Sequence, residues 1–193
     1  MRFIESALRE SARIKEKVAE TLTREIEAAT ELIIKSLENG GRLLIMGNGG
    51  SAADAQHLAA ELVGRFHRER EGIPALALTT DTSILTALGN DYGFEKVFSR
   101  QVEAHGRTGD ILLGLSTSGR SPNIARAFEK ASEMGLKTIG LLGCGGGDIK
   151  DLVDLAIVIP SSETPRIQEA HITVGHIICQ GIEDAVVEKT KLL

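Results

Sequence analysis

Residues 42–65, RLLIMGNGGSAADAQHLAAELVGR, restrict the fold more than any other stretch. Leu43, Leu44, Ile45 and Met46 make an apolar run long enough for a buried strand. Gly47-Asn48-Gly49-Gly50-Ser51 interrupts regular structure, and residues 52–63 have the composition and periodicity of a helix. The order strand, glycine-rich turn, helix lets backbone N–H groups approach an anion, and the helix N-terminus adds partial positive charge. Ser51 is expected as the N-cap, or its hydroxyl faces the ligand. His57 and Glu61 are four apart, so they share a helix face below the loop. A titratable pair under a phosphate-type turn points to an enzyme. The same residues also fit an exposed i,i+4 pair. Gly47-x-Gly49-x-x-Ala52 matches a loose dinucleotide fingerprint. The P-loop pattern is absent, because no Gly-Lys-Ser/Thr follows a glycine run.

At 193 residues the chain is expected to form one domain, 1–193, whose first 38 residues are a helical arm packed on the domain or on a neighbouring subunit. Hydrophobic content of 42% and charged content of 25% are those of a globular chain. A formal net charge of −5 argues against nucleic acid and anionic membranes as partners, so local donors must hold any phosphate. Cys144 and Cys179 lack metal or redox spacing, which fits a reducing, cytoplasmic setting. The N-terminus is too charged for a signal peptide, and no apolar run is long enough to span a bilayer.

Taken in order, Ile4, Leu8, Ile14, Val18, Leu22, Ile26, Ala29, Ile33 and Leu37 recur at helical spacing up to the stop at Asn39-Gly40-Gly41. A break is expected near Thr21 or Thr23. Residues 74–78 read as the second strand, 81–88 as a short helix capped by Asp81, and Asn90-Asp91-Tyr92-Gly93 as a turn cluster. Phe94, Val97, Phe98 and Val102 are spaced for another helix. Residues 110–115, 137–142 and 154–159 are the third to fifth strands. After the third strand, Ser116-Thr117-Ser118-Gly119-Arg120-Ser121 leads to Pro122 and a helix, with Ser121 as N-cap. This second strand, polar loop, helix junction again suits a phosphate. Gly143–Gly147 is expected to be a structural turn, residues 161–165 a loop, and residues 166 onward a long helix carrying Gln168, His171 and His176. Strands alternating with helices predict an α/β fold, a parallel sheet with helices on both faces.

Four segments, NGGSAADAQHLAAEL, ALGNDYGFEKVFSRQVEA, GDILLGLSTSGRSPN and RIQEAHITVGHIICQGIE, together resemble the sugar isomerase (SIS) domain and, within it, the bacterial phosphoheptose isomerases. The resemblance covers nearly the whole chain. It implies a three-layer α/β/α sandwich with a five-stranded parallel sheet, preceded by N-terminal helices. It implies a homotetramer with active sites near subunit interfaces, and conversion of D-sedoheptulose 7-phosphate to D-glycero-D-manno-heptose 7-phosphate, the first step toward ADP-heptose and cell-surface glycans. By the same resemblance, Ser116, Thr117, Ser118 and Ser121 hold the phosphate. Asn48, Gly49, Gly50, Ser51, Asn90 and Asp91 line the substrate, with Glu61 and Gln168 also facing it. Glu61 and His176 are the acid and base, and His57, Glu61, Gln168 and His176 form a zinc site.

Gln168 and His176 are eight apart, about 12 Å along one continuous helix. One metal ion therefore reaches both only if Gln168 precedes the regular helix or if one of them comes from a neighbouring subunit. Three other readings compete. A tetramer that binds the replication initiator without catalysis would keep the phosphate loops but lack the equivalents of Glu61 and His176, both present here. A sugar-phosphate-sensing module would need a DNA-binding neighbour. A nicotinamide dehydrogenase would leave the Ser116 loop and the His57/Glu61 pair without a role.

Overall fold

In the computed structural model, which describes residues 2–190, the strands β1 (Leu43–Gly47), β2 (Ala75–Ala77), β3 (Ile111–Ser116), β4 (Lys137–Leu142) and β5 (Leu155–Val158) pair in parallel in the order β2-β1-β3-β4-β5. β1, β3 and nearly all of β4 are buried on both faces, which is why they read as unbroken apolar runs. Leu43, Ile45, Leu113 and Leu141 point to one side, where α1 (Arg2–Thr21), α2 (Thr23–Glu38), α3 (Gly50–Val63) and α7 (Thr164–Thr190) cover them. Leu44, Met46, Leu112 and Leu142 point to the other, under α5 (Ser99–His105) and α6 (Pro122–Glu133). Gly114 faces this second layer and leaves room for the Phe128 ring, which a Cβ would strike. The three-layer α/β/α architecture is the one expected. No helix of the described residues is long and apolar enough to cross a membrane.

The N-terminal helix breaks at Leu22, between α1 and α2, where a break is expected. Met1 and residues 191–193 lie outside the described residues. α1 buries Ile14 and Val18, while Phe3, Ile4 and Leu8 are exposed.

Other boundaries differ from the sequence reading for local reasons. Asn90-Asp91-Tyr92 is not a turn but the last turn of α4 (Thr82–Tyr92). The Asp81 carboxylate starts that helix by accepting the Ile84 N–H at 2.9 Å, and Gly93, at φ +87°, ends it. The helix expected from Phe94 is a 3-10 turn, Phe94–Lys96, followed by α5; Val97, Phe98 and Val102 are buried as their spacing suggests, whereas Phe94 is exposed. α7 begins at Thr164 rather than after Pro165, because proline in a first turn removes an N–H that has no helical partner anyway.

α7 carries a fully buried imidazole, His171, whose Nε2 lies 3.1 Å from the Leu142 carbonyl oxygen and whose Nδ1 has no partner. Burial pushes its pKa down to about 4, against the pull of the hydrogen bond to Leu142. An unfolded imidazole takes its proton near 6.5, so the stability contributed by neutral His171 is whole above that pH and drains away as pH falls toward 4. The full loss is about 3 kcal/mol. His171→Leu is expected to flatten the slope of unfolding free energy between pH 6.5 and 4 in a urea series. The Leu142 carbonyl keeps its bond from the Ile159 N–H at 2.8 Å. An unchanged slope would contradict this assignment.

Candidate active site

β1 and β3 are neighbours, yet β1 runs on to α3 on one face and β3 to α6 on the other. The crevice outside the carboxyl ends of such a strand pair is where open α/β sheets bind ligands. At the end of β1 the chain turns through Gly49 at φ +54°, which becomes the N-cap of α3. Ser51 is therefore not the cap. It lies one residue inside the helix, buried beneath Gly47, where a Cβ on Gly47 would strike it. The left-handed turn at Gly49 starts the helix earlier than the serine would.

At the end of β3 the Ser116 hydroxyl accepts the Gly119 N–H at 3.2 Å and lies 3.2 Å from the Ser121 hydroxyl. Ser118 is exposed and Thr117 half-buried. Ser121 is the N-cap by position but makes no side-chain cap bond, and Pro122 opens α6. The 143–147 glycine run does more than turn the chain. A Cβ on Gly119 would strike the Gly146 carbonyl, a Cβ on Gly147 would strike the Gly119 carbonyl, and the Ile149 N–H donates to that same oxygen at 3.0 Å. The run is a backing plate for the serine loop. The two loops are joined by a reciprocal amide pair: Asn48 Nδ2 donates to Asn123 Oδ1 at 2.9 Å, and Asn123 Nδ2 to Asn48 Oδ1 at 2.8 Å.

His57 and Glu61 face α7 from α3. His57 Nε2 lies 2.8 Å from His176 Nε2 and 3.4 Å from Glu61 Oε1. Ligand atoms of the three residues all lie within 4.8 Å of one another. Two imidazoles and a carboxylate at this spacing are close enough to hold one metal ion through N and O ligands. Gln168 is elsewhere. Its amide packs against the glycine loop, 2.6 Å from where a Gly50 Cβ would stand, two turns of the unbroken α7 away from His176. The alternative in which Gln168 precedes the helix is thereby removed. Asn90 and Asp91 are exposed at the end of α4, with Asn90 Nδ2 donating to Asp91 Oδ1 at 2.8 Å.

Several side chains around this cluster escape a reading by motif. Asp54, one turn before His57, has Oδ2 buried without a partner; burial raises its carboxyl pKa, against the opposing pull of His57 and His176. The Phe66 ring sits 5.6 Å from that of His176. Glu183 and Arg70 form a buried ion pair at 3.3 Å beneath the loop that carries Phe66. Burial alone would raise the Glu183 carboxyl, but the N–H groups of His67, Phe66 and Arg68, with the Arg70 charge, outweigh it and hold the pKa below the usual range. A carboxylate within the apolar run of α7 is the one signal in sequence that could have flagged Glu183.

The SIS domain family model matches residues 8–143. A phosphoheptose isomerase of Geotalea daltonii is 56% identical over 180 residues, 93% of this chain and 94% of the relative. One from Nitratiruptor sp. is 57% identical over 185 residues, 96% of this chain and 99% of the relative. Among solved structures, the phosphoheptose isomerase from Neisseria gonorrhoeae superposes with a TM-score of 0.91 at 45% identity, over 95% of this chain and 98% of that one. The enzyme from Francisella tularensis gives 0.92 at 39% identity, over 95% and 97%. With the sheet order, the paired loops and these matches in agreement, the chain belongs to the SIS domain family and, within it, to the phosphoheptose isomerases.

Proposed function

We propose that the chain interconverts D-sedoheptulose 7-phosphate and D-glycero-D-manno-heptose 7-phosphate in the cytoplasm, the step that opens ADP-heptose synthesis. The observation that carries this reading is the meeting of His57, Glu61 and His176 between α3 and α7, in a sheet whose neighbouring strands β1 and β3 end in two loops suited to phosphate. Ser116, Thr117, Ser118 and Ser121 bind the phosphate, at the positive end of the α6 dipole. Asn48, Gly49, Gly50 and Ser51 bind the sugar.

Moving the carbonyl from C2 to C1 requires a proton to leave C1 and one to arrive at C2, with a proton exchanged between the two oxygens. Glu61 takes the C1 proton, leaving a cis-enediol(ate); the carboxyl then exchanges with solvent and delivers a proton to C2. His176 carries the proton between the oxygens. His57, Glu61 and His176 would hold a zinc ion, with Gln168 of a neighbouring subunit as a further ligand, and the ion would supply Lewis-acid polarisation of the carbonyl. Glu61 cannot be a tight ligand and a free base at once, so either a bound metal would coordinate it loosely or His176 would carry more of the proton transfer.

The assembly is a homotetramer with active sites near subunit interfaces, the arm of α1 and α2 packing on its own sheet and leaving Phe3, Ile4 and Leu8 exposed. Asn90 and Asp91, exposed in the single chain, reach a neighbour's substrate. Incubation with sedoheptulose 7-phosphate, followed by NMR, is expected to yield aldoheptose 7-phosphate signals. Their rate is expected to fall on chelation and recover with zinc. Turnover unaffected by exhaustive chelation would remove the metal from the scheme, and preference for a shorter ketose phosphate would replace the substrate.

A further inference from the structure

On the reading that Glu61 and His176 are the acid–base pair, two helices distant in sequence must hold their spacing, and Glu183 and Arg70 are placed to brace them. Glu183 lies two turns beyond His176 on the same face of α7. It is 1% exposed, and its carboxylate accepts the N–H groups of Phe66 at 2.9 Å, His67 at 2.8 Å and Arg68 at 3.0 Å. Arg70 Nε lies 3.3 Å from that carboxylate, an ion pair without a hydrogen bond. The rest of its guanidinium donates to backbone carbonyls: Nη2 to Glu61 at 2.9 Å, and Nη1 to Leu62 at 2.8 Å, Gly64 at 3.1 Å and Glu71 at 2.9 Å. The last carbonyls of a helix have no partner within it. Arg70 thus caps α3 at the residue that carries the candidate base. The loop it shares with Glu183 lays the Phe66 ring against His176.

A buried ion pair is poor evidence for stability, since apolar side chains of similar volume often tie two elements at least as firmly. What this pair adds is direction, because it fixes seven backbone groups around Glu61 and Phe66. We propose that Glu183 and Arg70 are positioning residues that set Glu61 and His176 relative to one another, acting through the α3 terminus and the Phe66 ring.

The test compares Glu183→Gln and Glu183→Asp with the unaltered chain, at a temperature well below unfolding. Zinc affinity is read without substrate, by competition with a chromophoric chelator. In Glu183→Gln, kcat is expected to fall at least tenfold and zinc affinity by a similar factor, the size seen when partners behind a metal ligand are removed. KM is expected to move less than threefold, because the phosphate loop lies on β3. Glu183→Asp, which keeps the charge, recovers part of both losses. If Glu183→Gln does not fold, Phe66→Leu removes the ring while leaving its N–H in place, and the same fall in kcat at constant KM is expected. A folded variant with kcat and zinc affinity within twofold of the unaltered chain, and only its melting temperature lowered, overturns the proposal. If the unaltered chain binds zinc but does not isomerise the sugar phosphate, the proposed reaction falls and zinc affinity alone decides on the brace. An unaltered chain that does neither overturns both.

Discussion

Glu61→Gln is expected to lower kcat by about 10²–10⁴-fold, the usual contribution of a positioned general base. The amide is nearly isosteric with the carboxylate, so the protein should fold as before, but the amide cannot accept the C1 proton. The Glu61 side chain is 23% exposed and lies 3.4 Å from His57 Nε2, so the replacement buries no new charge and the melting temperature should barely move. KM should stay within a few fold, because the phosphate contacts are on other elements. Zinc content must be measured on the same sample: a fall in kcat with zinc retained identifies a lost base, whereas a fall that tracks lost zinc identifies a lost ligand. Near-normal turnover would remove Glu61 from the acid–base scheme.

Gly119→Ala is expected to raise KM tenfold or more and to cost about 2–3 kcal/mol of stability, the scale of a strained backbone position held by its surroundings. Gly119 has φ +64°, and its Cβ would run into the Gly146 carbonyl, so the serine loop must shift away from the 143–147 run. Ser116 would then lose the Gly119 N–H. Gly145→Ala is the control. Gly145 has φ +76° but nothing within 4 Å of its Cβ, so the change should cost about 1 kcal/mol and leave KM alone. Substrate saturation curves and thermal melts on the two variants separate strain from loop displacement. Equal KM for both would mean that the run does not support the loop.

The architecture was legible because its signals are local. Runs such as Leu43–Met46 and 111–115 are apolar at every position, as strands covered on both faces must be, and glycine or serine clusters mark where they end. Errors fell where two local preferences compete. Asn90 and Asp91 have turn propensity, but the cap at Asp81 carries α4 through them to Gly93. Ser51 is a good N-cap residue, but Gly49 reaches the required backbone first. For the candidate site, His57 and Glu61 are readable as an i,i+4 pair, and His176 as a polar residue within an apolar helix. Their approach to one another is a tertiary fact that no spacing in the sequence carries. The same holds for Asn123, which meets Asn48 across two loops, and for Arg70 and Glu183, whose partners are mostly backbone groups. The 143–147 run shows the limit most clearly, since a glycine turn and a loop support look alike until the opposing loop is in view.

The most direct test of the central claim, proton transfer by protein side chains through an enediol(ate), is ¹H NMR of the unaltered protein with sedoheptulose 7-phosphate in D2O. The account expects aldoheptose 7-phosphate to appear with deuterium at C2, because a proton held on a side chain exchanges with solvent. Product formed with complete retention of the original hydrogen would show that the transferred hydrogen never exchanges, as in a direct shift between the carbons, and would contradict the solvent-exchanging role given to Glu61. A folded protein that forms no product would contradict the isomerase reading itself.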